Sequence, residues 1–324
     1  MYNLDCAPSF GGSALNRVLV WSLFVVTLAF VPPLCLGILR KTKARLQNRI
    51  GSPIWQPFLD LTKLFQKDET LSGTMCGVFR ISTVVGLSSA LTLSWLIPWV
   101  AIKPWSHQAD IFVVIYVLAL AKMFTMLGAM DAGSPFGAFG ASREATLNFL
   151  VEPAICLALI ALAITCNSTD LTVIFASTPG AGMSVVWLLV GVAVFLASLV
   201  ELSRMPVDDP TTHLELTMVH EAMILEASAK NLFLLELTQV LKMAMFWGLS
   251  AQCFLHTIPA YARCNLLEKE LCSVAGIFLL AFLVGVLEGL IVKLQWRKIP
   301  EFVAYIMTVS LIAVFVAVSG KSIL

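Results

Sequence analysis

Apolar residues run along this chain in long unbroken blocks, each about 20 residues, the length that crosses a bilayer. Eight blocks fall at about 15–39, 79–101, 110–130, 144–165, 183–203, 231–255, 271–294 and 301–320. Their apolar positions are continuous rather than alternating, so they predict helices and not barrel strands. Lipid offers the backbone no hydrogen-bond partners, and a helix satisfies its own. The predicted fold class is all-α: a polytopic integral membrane protein with eight transmembrane helices in one membrane domain, 1–324. Pro32 and Pro33 predict a kink in the first span. That block is longer than a signal-peptide core of about 7–15 residues, and its basic cluster follows it, so it reads as a membrane span.

A different pattern fills 53–67. Ile54, Phe58, Leu61 and Phe65 share one helical face, while Gln56, Asp60, Lys63 and Lys67 share another. This spacing predicts an amphipathic helix at the membrane surface. A second long polar stretch, 204–230, is acidic and carries Asp208, Asp209, His213, Glu215, His220, Glu221 and Glu226.

Composition supports the membrane reading: 59% of residues are hydrophobic and 13% charged, against about 25% charged in a soluble domain. Charge placement then orients the chain. Loops after the odd-numbered spans hold Arg40, Lys41, Lys43, Arg45, Arg49, Lys63, Lys67, Arg80, Arg143, Arg204, Lys230, Arg297 and Lys298. The opposite loops and ends hold only Arg17, Lys103, Arg263, Lys269 and Lys321. Loops 40–78 and 204–230 are therefore expected in the cytoplasm and both termini outside. Arg45, Arg49, Asp60, Lys63, Arg143 and Arg204 are the candidate docking residues for a soluble partner. No basic tail interleaved with aromatics supports nucleic-acid binding. The eight cysteines form no C-x-x-C pair, so no metal or iron–sulfur site is expected in this chain.

The informative residues are charges inside the apolar blocks. Each costs about 2.5–3.5 kcal/mol to insert, so each needs a partner or a task. Lys122 lies in the third block; Glu144, Asn148 and Glu152 follow at intervals of four on the fourth, on one stripe. Glu201 closes the fifth, Glu236, Gln239 and Lys242 fall at intervals of three on the sixth, and Glu288 lies in the seventh. Paired ions that brace the helices are one reading. A chain of titratable groups that passes protons is the other. The candidate path residues are Glu144, Glu152, Glu201, Glu215, Glu221, Glu226, Asp131, Asp208, His213, His220, Lys122, Glu236 and Lys242. Gly133, Gly137 and Gly140 do not match a phosphate-binding loop and read as a tight turn with close helix packing.

Three stretches carry a resemblance. Arg49-Ile-Gly-Ser-Pro through Gln56-Pro, Asp60, Lys63-Leu and Lys67-Asp68 is similar to an R-x-G-P…Q-P…D…K-L…K-E/D pattern. Gly140-Ala-Ser-Arg-Glu-Ala through Glu152-Pro153 is the second, and Glu201-Leu-Ser-Arg-Met-Pro-Val-Asp208, similar to E-x-x-R-x-P-F-D, is the third. Together they resemble the membrane subunit of the complex I subunit 1 family over nearly the whole chain. Asp131-Ala-Gly-Ser-Pro-Phe and Gly140-Ala-Ser-Arg-Glu look like its hydrogenase branch, as in formate hydrogenlyase subunit 4 and hydrogenase-4 component C. The chain departs from the family after Asp208, where Pro210-Thr-Thr-His-Leu-Glu-Leu stands for P-E-A-E-x-E-L.

The resemblance implies a non-catalytic subunit in the cell inner membrane that couples a redox arm to proton or sodium translocation. It implies that Glu152, Glu201 and Glu215 stand at acidic positions of the family and His213 at a glutamate position. It places the [NiFe] and [4Fe–4S] centres in soluble [NiFe]-hydrogenase-like and iron–sulfur partners, with antiporter-like membrane subunits beside this one. A quinone-site membrane subunit of a complex I-type oxidoreductase and a free-standing secondary ion transporter are the alternatives.

Overall fold

A computed structural model describes residues 14–70, 77–102, 109–177, 184–208 and 219–322. Among them, eight helices are long and apolar enough to cross a membrane. They are α1 (Ala14–Leu46), α3 (Gly77–Leu96), α4 (Ile111–Asp131), α5 (Pro135–Cys166), α7 (Ser184–Glu201), α9 (Ala229–His256), α11 (Leu266–Leu290) and α12 (Ile299–Ser322). Shorter helices lie between them: α2 (Gln56–Gln66), α6 (Leu171–Ala176), α8 (His220–Ile224) and α10 (Pro259–Ala262).

The ends of these helices follow local chemistry more than hydropathy. α1 is continuous through Pro32 and Pro33 and runs to Leu46 rather than the expected 39, because Arg40, Lys43 and Arg45 extend an apolar helix into a charged one. α5 begins at Pro135, nine residues ahead of the expected 144. Ser134 precedes it and Pro135 occupies the first turn, where a missing N–H costs nothing. Gly133 makes the turn with a left-handed φ of 67°. Gly140 lies inside the helix: a Cβ there would sit 2.9 Å from the carbonyl oxygen of Val219, so glycine admits the segment that carries α8. At the far end Asn167 caps α5 in the left-handed region.

The seventh span is shifted toward the N-terminus of its expected range. An Asn265–Glu268 capping box starts α11, and the helix stops at Leu290 instead of 294. Residue 294 is instead held by the turn after α7, through Leu294 N–H to Pro206 O at 2.8 Å. Lys293 thereby leaves the membrane block and joins Arg297 and Lys298 in the last basic loop, which strengthens the charge asymmetry. The second expected span ends early as well, at Leu96 before Pro98.

α3 packs on α4, α12 on α5 and α7, α1 on α11, and α7 on α9. α9 is the centre: it touches α1, α2, α3, α7 and α11, and Trp247 on it is fully buried. The surface helix is Gln56–Gln66, slightly shorter than the expected 53–67. It lies on α9 and α1, with Phe58 against Phe30 and Phe65 against Phe233.

Candidate functional site: a buried ionic core

Most of the buried charged residues of the spanning helices converge in two clusters; Glu270 of α11 stands apart, accepting Ile102 N–H at 2.9 Å. The first is built around Lys122 on α4, which is 6% exposed. Its ammonium donates to the Glu144 carboxylate from α5. It also donates to the main-chain oxygen of Glu201 at 3.1 Å and pairs with the Glu201 carboxylate at 3.3 Å. Glu201 is the last residue of α7, so Lys122 also satisfies a carbonyl that a helix end leaves bare. The chain then turns through Ser203, whose φ of 48° is left-handed and whose hydroxyl lies 3.5 Å from Glu144 Oε2.

Lys242 on α9, 4% exposed, faces the same group and interacts electrostatically with Lys122, Glu201 and Glu144. Two lysines thus balance two carboxylates. His220, at the start of α8, closes the cluster on one side. Burial pushes its imidazole down to about 4; Glu144 opposes the shift, and Lys122, Lys242 and Arg204 add to it. His220 is therefore neutral at physiological pH. A depressed histidine contributes stability that is fully present above its unfolded value of 6.5 and is lost as pH falls toward 4. That interval corresponds to roughly 3 kcal/mol. We expect amide exchange in 219–224 to accelerate between pH 6.5 and 4 in the wild type and to lose this dependence in His220→Gln. An unchanged pH profile in that variant would contradict the assignment.

The second cluster surrounds Glu288 on α11. Its carboxylate lies 3.5 Å from Lys43 Nζ of α1 and 3.6 Å from an Arg204 guanidinium nitrogen. Beside it, Arg40 pairs with Asp60 of α2 at 3.0 Å, Gln56 donates to Asp60 at 2.9 Å, and Glu236 of α9 faces Arg40 and Arg204. The turn 201–208 joins the clusters: Glu201 belongs to the first and Arg204 to the second. Asp208 anchors its end, accepting from Lys293 Nζ at 2.5 Å and from Val219 N–H at 2.9 Å.

Several expectations change in detail. Arg204 is no exposed docking residue; its side chain is 12% exposed and directed at Glu288. Arg143 is packed between the rings of Phe139 and Trp296, which ties α5 to the base of α12. Arg45, Arg49 and Lys63 are exposed, and Asp60 is engaged with Arg40. Asp131 accepts Phe79 N–H at 2.9 Å, so it fastens the first turn of α3. Glu144 is locked to Lys122, whereas Glu152 lines a small apolar pocket with Ile97, Leu118, Ile155 and Phe246 and interacts electrostatically with Glu201 and Lys122. Among the described residues no ion pair within 4 Å involves Glu152. Glu221 is half-buried and Glu226 exposed, while His213 and Glu215 lie outside the described residues. Missing from the candidate path were Lys43, Ser203, Glu288 and Lys293. Glu288, a lone acid in an apolar block, was the readable signal among them.

Helices long enough to span a bilayer, closed around a charge-balanced ionic core, define a polytopic membrane protein with ionisable groups at its centre. This chain belongs to the NADH dehydrogenase family, whose model matches residues 18–318. It is 35% identical to hydrogenase-4 component C of Escherichia coli (strain K12) over 231 residues, 69% of this chain and 72% of that protein. It is 36% identical to formate hydrogenlyase subunit 4 of the same organism over 143 residues, 44% of this chain and 47% of that one. Its fold is that of a chain in the membrane-bound sulfane sulfur reductase, an archaeal respiratory membrane complex. That match has a TM-score of 0.75 at 19% identity and covers 93% of this chain and 99% of the other.

Proposed function

We propose that this chain is the non-catalytic membrane subunit that couples the redox arm of a membrane-bound [NiFe]-hydrogenase to ion translocation in the cell inner membrane. The observation that carries the reading is the Lys122–Glu144–Glu201 cluster: ionisable groups placed where lipid makes them expensive, in a relative of two hydrogenase-system proteins. The route runs from the acidic segment 204–230, through His220, Glu144 and Glu201, toward Glu152. Soluble [NiFe]-hydrogenase-like and iron–sulfur subunits dock on the exposed face around Arg45, Arg49 and Lys63, and antiporter-like subunits lie alongside in the membrane. The metal centres belong to those partners.

Glu152→Gln is the direct test. Because Glu152 has no ion-pair partner to strand, the variant complex is expected to assemble and to reduce soluble dyes at wild-type rate. Ion uptake into inside-out vesicles should fall at least tenfold. Normal uptake would remove Glu152 from the route.

The basic bias of the loops supports a cytoplasmic docking face and two external termini. A reporter fused after Leu324 is expected to be active only outside the cytoplasm; activity inside would reverse the orientation.

A further inference from the structure

The first cluster holds an asymmetry. Lys122 has two hydrogen-bond acceptors, the Glu144 carboxylate and the Glu201 main-chain oxygen, and an ion pair with the Glu201 carboxylate. Lys242 is equally buried, yet among the described residues it has no ion-pair partner within 4 Å. Both carboxylate oxygens of Glu201 are buried without a hydrogen bond. A buried ammonium and a buried carboxylate are each costly when incompletely paired. The under-coordinated cation and the under-coordinated anion belong to one helix junction: three residues before Lys242, the Gln239 amide donates to the main-chain oxygen of Leu202, the residue after Glu201, at 3.1 Å, and Lys242 and Glu201 interact electrostatically.

We infer that Lys242 is the second seat of the Glu201 carboxylate, and that this carboxylate exchanges between Lys122 and Lys242. The inference rests on the ion-carrying reading above and adds the moving part to it. In the arrangement seen, Lys122 is shared by two acids and Lys242 by none. In the other, Lys122 keeps Glu144 and Lys242 takes Glu201. Two cations and two anions are present in both arrangements, so no covalent bond forms or breaks and no net charge enters the site. What moves is one negative charge, from the α4–α5 side of the bundle to α9.

The surroundings favour such an exchange. Glu201 is the last residue of α7, next to a turn rather than inside a helix. Lys122 is also held by the Glu201 main-chain oxygen, an anchor that remains when the carboxylate leaves. On α9, Glu236 lies six residues before Lys242 and interacts electrostatically with Arg204 and Arg40 of the second cluster, so one helix carries a member of each cluster.

The test uses the whole complex in inside-out vesicles, with dye-linked hydrogen turnover as the measure of assembly. Lys242→Met is expected to keep dye turnover and to lower ion uptake at least tenfold, with Lys242→Arg recovering a substantial part. Infrared difference spectra across redox turnover should contain a carboxylate band that Glu201→Gln removes, and Lys242→Met should shift it. Wild-type uptake in Lys242→Met overturns the exchange, as does lost uptake with an unshifted band. If Glu201→Gln still abolishes uptake in that case, the ion-carrying reading stands without the exchange; if it does not, that reading falls as well. Should Lys242→Met fail to assemble, the Glu201→Gln/Lys242→Met pair decides. Restored assembly shows that the two charges answer each other, and continued failure overturns the proposal.

Discussion

Lys122→Met is expected to prevent stable accumulation of this chain in the membrane. The substitution takes the cation from two carboxylates and from the terminal carbonyl of α7; Lys242 can take over only one of the carboxylates, so the other is left uncompensated. Removing one partner from a buried ion pair costs about 3–5 kcal/mol, because the remaining charge is uncompensated. That is a large share of a typical net stability of roughly 5–15 kcal/mol. Glu144→Gln should be much milder. Lys122 then keeps the Glu201 carboxylate and main-chain oxygen, and the glutamine still offers an acceptor, so the cost is about 1–2 kcal/mol. Membrane yield and thermal midpoint in detergent give the comparison. Equal stability of Lys122→Met and wild type would mean that Lys122 does not hold α4, α5 and α7 together.

The membrane class was legible because lipid imposes one rule on every span: continuous apolar positions at helical length. Helix ends were less legible, because capping and packing decide them. Gly133, Gly137 and Gly140 read together as a tight turn with close packing; Gly133 makes the turn, while Gly137 and Gly140 lie inside α5 at close approaches. Only the approach of the α8 segment to Gly140 explains a glycine there. The charged residues were legible as unusual, but their pairings were not. Glu144 and Glu152 share a helical stripe, which suggests a common path; the stripe delivers Glu144 to Lys122 and leaves Glu152 in an apolar pocket, facing Glu201 and Lys122 without an ion pair. Partners such as Lys122 and Glu201 are 79 residues apart, and no local pattern encodes that meeting. Arg204 looked like a loop cation; the turn after α7 brings it back into the core.

The second large effect is expected at Glu288. Its side chain, 1% exposed, lies between Lys43 and Arg204, so Glu288→Leu removes the carboxylate that the two cations share. We expect a loss of about 3–5 kcal/mol, concentrated at the α1–α11 interface. The helices approach closely there: a Cβ at Gly285 would lie 2.8 Å from Thr42 Cβ and 3.1 Å from the Leu39 carbonyl oxygen. Steric and ionic contributions can be separated because they predict different rescues. A second substitution, Lys43→Met, removes one of the two cations that Glu288 holds and should return part of the stability lost in Glu288→Leu, with Arg204 accounting for the remainder. The same Lys43→Met should do nothing for Gly285→Val, whose damage is a clash of side chain against backbone. The functional consequence follows from the chain itself. Arg204 is three residues beyond Glu201, so freeing its guanidinium loosens the turn that positions Glu201 against Lys122. Assembled Glu288→Gln complexes, which keep an acceptor for the cations, are therefore expected to retain dye turnover while ion uptake falls several-fold. Full uptake in that variant would show that the two clusters work independently.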